Sequence, residues 1–227
     1  RLTGQSLMIT TNDSLGLLET TGFTPALVAL DVMSKAASVQ IMQAEVNDFL
    51  GICIKITGAS DAVDTALQAG HDIAQQMGGE PVINLIRRID QESWKAIDSP
   101  AEFNPLIQQD VVHFPRTTHP DHSSSNKEEH VAEHHAHALG FIETQGFTAV
   151  FEAIDQACKT ANVEVVGKEK LGGGYVTVII QGDVAAVKAA IDTGQQSVAA
   201  LGNLIAAHVI ARPSAAVLDL LPAFTGS

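Results

Sequence analysis

The property that most constrains this chain is that it repeats itself. Leu15-Gly-Leu-Leu-Glu-Thr-Thr-Gly-Phe-Thr24 returns as Leu139-Gly-Phe-Ile-Glu-Thr-Gln-Gly-Phe-Thr148, a displacement of 124 residues from position 15 to position 139. The same displacement pairs Asp31 with Asp155, Lys35 with Lys159, Val39 with Val163 and Glu45 with Glu169. It continues through Gly58 and Gly182, Gly70 and Gly194, Gly78 and Gly202, and Arg88 and Arg212. A register held without a gap over that span means two copies of one domain. Whatever fold the chain adopts has to work twice.

Each copy reads as the same series of elements. A short strand (Leu15–Thr20, Leu139–Thr144) leads to a helix that begins near Gly-Phe-Thr. In the second copy Val150, Ala153, Ile154, Ala157 and Ala161 give that helix one apolar stripe. Two strands follow (Val39–Ala44 and Ile52–Thr57; Val163–Gly167 and Tyr175–Gln181), rich in β-branched residues. A second helix carries its stripe at Val187, Ala190, Ile191, Gly194, Val198 and Leu201, mirrored by Val63, Ala66, Leu67, Gly70 and Met77. A last strand (Val82–Ile86, Ala206–Ile210) closes the unit. The order β-α-β-β-α-β predicts an α+β, ferredoxin-like layer, an antiparallel four-stranded sheet with helices packed on it. The organisation expected is an extension over 1–14, a first copy over 15–90, a His-rich linker over 91–138, and a second copy with a C-terminal tail over 139–227. Within the linker, Glu92–Asp98 and Ala101–Gln109 are expected to hold a helical turn or two, and His113 to Lys127 to be mobile. A short helix is expected from Ser214 to Leu221.

Composition excludes several function classes. A formal net charge of −13 argues against a nucleic-acid surface, which needs clustered Lys and Arg. Cys53 and Cys158 are too few for a disulfide scaffold and sit in apolar runs. No apolar run reaches the length of a membrane span, and no basic-then-apolar signal opens the chain, so a soluble, cytoplasmic protein is expected.

Two stretches could carry chemistry. Lys168-Glu-Lys-Leu-Gly-Gly-Gly174 enters the strand Tyr175–Gln181, and three glycines free the backbone to turn sharply or to approach something closely. That partner could be a phosphate, a ligand, or other copies of the same loop, and a plain tight hairpin turn is a further reading of the loop. The phosphate reading lacks the Lys-Ser/Thr that would follow, and a strand rather than a helix comes next. The second stretch is His-rich, with seven of the nine histidines between His113 and His137. His130-x-x-x-His134 has a spacing that metals can use, with His135 and His137 adjacent, but no cysteine accompanies it. A solvated linker is the reading preferred, and no metal or cofactor is expected. No Ser-His-Asp order, carboxylate pair or HExxH emerges, so an enzyme is not expected. Glu19 and Glu143 recur in the first strand of each copy, where they are read as orienting the domain.

The second copy resembles a bacterial microcompartment shell domain. The resemblance rests on its Leu139–Thr148 opening, Asp155 and Lys159 ahead of Ala161-Asn-Val163, the run Lys168–Val184, and Val209-Ile-Ala-Arg-Pro213. The first copy keeps the frame but has Asn47-Asp48-Phe49-Leu50 where the second has Leu171-Gly-Gly-Gly174, and Arg88-Ile89 where the second has Arg212-Pro213. Two fused copies, each beginning at the first strand, resemble the unpermuted tandem class. That resemblance implies a homotrimeric, pseudo-hexagonal structural tile with a central pore, placed in the cytoplasm within a microcompartment shell. It implies hexameric and pentameric shell proteins, encapsulated enzymes and small metabolites as partners. The pore lining it implies is Asp48, Phe49, Leu50, Gly172, Gly173 and Gly174, although Phe49 could instead fold into its own domain. The tile-edge contacts it implies are Lys35, Lys159, Arg88 and Arg212. Relatives with an iron–sulfur cluster hold it on a pore-loop cysteine, and this chain has none in either loop. The rival reading is a small-molecule-binding regulator on doubled ferredoxin-like domains.

Overall fold

The computed structural model describes residues 14–47, 50–115, 137–199 and 201–221. Copy one consists of β1 (Ser14–Thr21), α1 (Phe23–Ala36), β2 (Gln40–Asn47), β3 (Gly51–Gly58), α2 (Ser60–Gln76) and β4 (Val82–Ile86). The connecting segment contributes α3 (Gln91–Ile97), β5 (Phe103–Asn104), β6 (Gln109–Asp110) and β7 (Val112–His113). Copy two repeats the frame as β8 (Ala138–Gln145), α4 (Phe147–Thr160), β9 (Glu164–Gly172), β10 (Tyr175–Gly182), α5 (Val184–Val198) and β11 (Asn203–Ile210). The helix α6 (Ala215–Leu220) follows, with the Ser214 hydroxyl accepting the Val217 N–H.

Strand order is β4-β1-β3-β2-β7 in the first sheet and β11-β8-β10-β9 in the second. The two sheets are therefore the same sheet, except that β7 extends the first by pairing with β2 at Ala44–His113 and Glu45–Val112. All the pairings are antiparallel, as the sequence order predicts.

Successive residues of a strand face opposite sides of its sheet. Strand β8 is buried along nearly its whole length, so both of its faces are covered. Ile142 packs with Val150, Ala153, Val187 and Ile191 in copy two's own core. Leu139 and Phe141, on the other face, belong to a core that also holds Leu27, Leu30 and Met33 of α1. Copy one thus lays its first helix on the back of copy two's sheet, and ten residues of α1 are buried against four of α4.

One expectation is corrected, and one strand is added. Ala101–Gln109 is not helical: β5 pairs with β6 around a turn in which Asn104 accepts the Leu106 N–H through its side chain and the Gln108 N–H through its carbonyl. A side chain that satisfies local backbone groups in this way competes with helix formation. Strand β7 carries no periodic signal of its own at two residues, and it forms because β2 offers an open edge. Residues 1–13, most of the His113–Lys127 stretch, and the His130–His134 pair lie outside the described residues.

Close packing between α4 and α5 is set at Gly194. A Cβ there would lie 2.5 Å from Ile142 Cδ1 and 2.9 Å from the Ala153 carbonyl oxygen. Gly→Ala inside a helix ordinarily stabilises by up to about 1 kcal/mol. Here the backbone of α4 blocks the methyl, so Gly194→Ala is expected to lower stability by about 1–3 kcal/mol, read as a fall in the denaturant midpoint.

Candidate functional site

The glycine loop takes a backbone path that side chains resist. Gly172, Gly173 and Gly174 have φ of 87°, 54° and 84°, all left-handed. In copy one the equivalent of Gly174 is Leu50, which holds φ 65° despite its side chain. Both loops are tied back identically: Gly22 N–H donates to the Leu50 carbonyl at 2.7 Å, and Gly146 N–H to the Gly174 carbonyl at 2.9 Å. The two loops also meet. A Cβ on Gly173 would fall 2.6 Å from Leu50 Cδ2, so Leu50 rests directly on the bare glycine. Around this contact lies a polar-lined concavity of about 730 Å³ bordered by Glu45, Asn47, Leu50, Glu102, Gly172 and Gly173. Of the six pore residues expected, the structure brings Leu50 and the three glycines to one place, and Asp48 and Phe49 lie outside the described residues.

The loops meet because the copies are joined by a carboxylate. Glu143 is fully buried and accepts the Phe23 N–H through Oε1 and the Thr24 N–H through Oε2, each at 2.8 Å. It caps the N-terminus of α1 from the other copy, where the helix leaves N–H groups unpaired and no side chain of its own supplies a cap. Burial pushes the Glu143 carboxyl above the usual range, and the two backbone donors pull in the opposite direction. Its counterpart Glu19 is half-exposed and instead accepts the Asn47 side-chain amide at 2.7 Å. The sequence flagged both glutamates as recurrent and orienting, but not the partner of either.

Glu45 and Glu169 occupy one repeat position and behave oppositely. Glu45 meets Lys55 at 2.8 Å and the Ser99 hydroxyl at 2.8 Å. Burial raises it, but the Lys55 and Ser99 hydrogen bonds with the Lys55 charge outweigh that and leave it lowered. The repeat position of Lys55 is Ile179, so Glu169 loses that cation. Its strap partners are Gln109, whose amide donates to Oε1, and His113, whose Nε2 lies 3.9 Å away. Burial pushes Glu169 up to about 8 and pushes His113 down. Gln109 also bridges the backbone of Lys170, donating to its carbonyl at 2.6 Å and accepting its N–H at 3.0 Å. The connecting segment therefore braces β9 just before the glycine loop.

The expected edge residues are divided. Lys35 Nζ donates to Asp31 at 2.5 Å and to the Arg212 carbonyl at 2.6 Å, which brings one residue of each copy together. Lys159 pairs with Asp155 at 2.5 Å on an exposed stretch of α4, and Arg88 is exposed. Cys158, read as part of an apolar run, is exposed, and Cys53 is half-buried with its thiol pushed up to about 11 by burial. Among the described residues no three His, Cys, Asp or Glu side chains are grouped to hold a metal.

A family model described as the BMC domain matches residues 14–86 and again residues 138–213. The bacterial microcompartment shell protein PduA of Citrobacter freundii is 53% identical over 85 residues, covering 37% of this chain and 91% of that protein. The major carboxysome shell protein CsoS1A of Halothiobacillus neapolitanus is 45% identical over 86 residues, covering 37% of this chain and 88% of that protein. A solved microcompartment protein from Desulfitobacterium hafniense DCB covers 89% of this chain and 96% of its own at 24% identity, with a TM-score of 0.34.

The raised Glu169 carboxyl has a pH signature. Its folded value of about 8 lies above the ordinary 4.5, so across that window the folded chain keeps a proton that the unfolded chain has released. Stability contributed by this group is full below pH 4.5, falls as pH rises towards 8, and is level beyond. Glu169→Gln, which mimics the protonated form, is expected to flatten the decline of the melting temperature between pH 5 and 8. An unchanged slope in the variant would mean that the carboxyl is not held protonated.

Proposed function

The chain belongs to the BMC-domain family of bacterial microcompartment shell proteins, and from that premise we propose that it is a trimeric tile with a metabolite-passing centre. The role is structural and not enzymatic. The observation that carries the finer reading is the contact of Leu50 with Gly173, because it places two unlike loops side by side within one chain. Three such chains around an axis would alternate those loops six times, with bare glycine backbone next to the Asp48-Phe49-Leu50 version. Backbone N–H groups of left-handed glycines make a polar lining without side-chain bulk. Three phenylalanine rings in the alternate positions would narrow it. The carboxylates of Glu45 and Glu102 at the concavity and the chain's net charge of −13 would disfavour anions. Passage is then diffusion selected by size and charge, with no bond chemistry.

The tile would lie in the cytoplasm as part of a microcompartment shell, edge to edge with hexameric shell proteins and alongside pentamers. Its cargo side would face encapsulated enzymes. Lys35 and Lys159, with Arg88 and Arg212, would form the edge. A lysine there packs its apolar stem flat and keeps its charged tip at the surface.

Native mass measurement is expected to give three chains of 23.9 kDa, and a stable monomer would sink the tile reading. Lys159→Ala is expected to abolish sheets or tubes seen by electron microscopy while leaving the trimer intact. Sheets that persist unchanged would remove Lys159 from the edge.

A further inference from the structure

Copy one carries an anchor that copy two lacks. Lys55 is buried, and its ammonium donates to the Gln43 amide oxygen at 2.7 Å, to Glu45 at 2.8 Å and to the Ile97 carbonyl at 2.6 Å. The Ser99 hydroxyl donates to the same Glu45 at 2.8 Å. The Ser99 N–H donates to the Gln43 amide oxygen at 3.1 Å, and its carbonyl accepts the Gln43 amide N–H at 3.1 Å. These groups fasten the connecting segment to the first sheet just after α3. Further on it is fastened again: the Val111 carbonyl accepts the Val46 N–H at 2.8 Å, β7 pairs with β2, and Gln109 holds the backbone of Lys170. The repeat positions of Gln43 and Lys55 are Gly167 and Ile179, so the second sheet has neither the amide nor the cation for such an anchor. A buried ammonium is costly unless its donors are satisfied, so the segment is held in place by design of the first sheet.

Between the two anchors stands the β5–β6 hairpin. Its base is closed by the Val111 N–H, which donates to the Glu102 carbonyl at 2.9 Å, and its tip by the Asn104 turn. Its apolar side chains are left unpacked: Leu106 is 91% exposed and Phe103 59%. Glu102, Leu106 and Ile107 line the same concavity, of about 730 Å³, as Leu50, Gly172 and Gly173. The hairpin therefore stands beside the point at which the loops of the two copies meet.

Building on the tile reading, we propose that the β5–β6 hairpin is the selective entrance to the central opening. A solute reaches the Leu50–Gly173 contact past Glu102 and Leu106, which admit small uncharged and cationic molecules and hold back anions and bulky ones. Of the two carboxylates bordering the concavity, Glu45 is paired with Lys55, and Glu102 has no ion-pair partner among the described residues. Glu102 thus supplies the uncompensated charge, and a charge at the mouth of a concavity steers ions by sign. Leu106 supplies bulk without a polar group to bind what passes. The hairpin belongs to neither copy's frame, so selection here is separable from the loops themselves. In a three-fold tile three hairpins take equivalent places, each at a copy-one loop. After β11 the second copy instead turns into α6, whose Val217 and Leu220 are buried in the core shared with α1.

The test reads access to position 50 in the full chain. Leu50→Cys in a Cys158→Ser background places a thiol in the concavity. Cys53, half-buried with its thiol pushed up to about 11, reacts slowly, and the background chain alone gives its rate. Modification rates are measured with two small methanethiosulfonates, one carrying a cationic trimethylammonium and one an anionic sulfonate, and with a bulky neutral maleimide. Native mass is recorded for each variant. The cationic reagent is expected to react faster than the anionic one. Glu102→Gln is expected to lower that ratio about fivefold, the effect of one unit charge on ions of opposite sign. Replacing residues 104–108 with Asn-Gly, a two-residue hairpin turn, is expected to raise the rate of the bulky reagent several-fold. Glu102→Gln leaves both anchors intact, so it decides the matter even where the shortened hairpin fails to fold. If both variants keep the original ratio and the original bulky rate, the hairpin is not the entrance, and a trimeric mass leaves the tile reading standing. If the mass is that of a monomer, the tile reading falls and the entrance falls with it.

Discussion

A single buried carboxylate decides how the two halves of this chain sit together. Glu143 reaches out of the second sheet and takes the first two N–H groups of α1, so one copy supplies what the helix of the other lacks. Hydrogen bonds to a charged group contribute roughly 1.5–3 kcal/mol each, and the helix N-terminus adds its own attraction for negative charge. Burial opposes this, as the upward shift of the carboxyl records. The apolar packing of Leu139 and Phe141 against α1 is therefore an essential companion to the polar cap. Together they turn two repeats into one body with a shared core.

From that seam follows the difference between two helices of common descent. Helix α1 is covered on two sides, and its Leu, Val and Met residues run nearly all round. Helix α4 is covered on one, and carries a narrower stripe of Ala and Val with Glu152, Gln156 and Lys159 elsewhere. The same contrast appears in the acids at one repeat position, Glu45 half-exposed and Glu169 buried. Glu45 keeps a lysine partner and stays low; Glu169 faces the strap with Ile179 in place of that lysine and rises. Duplication supplied one frame twice, and the separate surroundings of each copy then set different chemistry at equal positions.

The asymmetry between the copies is concentrated where their loops meet. The loops of the two copies touch through Leu50 and Gly173, and the strap from Gln109 to His113 braces the glycine loop's strand from outside. The glycine loop owes its left-handed path to glycine itself, whereas the copy-one loop is held by Asn47, which reaches both Glu19 and Gly51. One loop is open by composition and the other is shaped by a hydrogen-bonded bridge.

Much of this was written in the chain. The gap-free displacement from Leu15 to Leu139, the alternating strands and the helical stripes gave two α+β layers in the observed order, because these signals depend on neighbours a few residues apart. The three glycines marked their loop for the same reason. Ala101–Gln109 misled, since the Asn104 side chain captures a turn that helical spacing does not reveal. What no local pattern could give was which of two equivalent faces is covered. Glu19 and Glu143 are the same residue in the same motif, and so are Phe23 and Phe147. Tertiary structure alone separates them, because burial and capping are supplied by residues more than a hundred positions away.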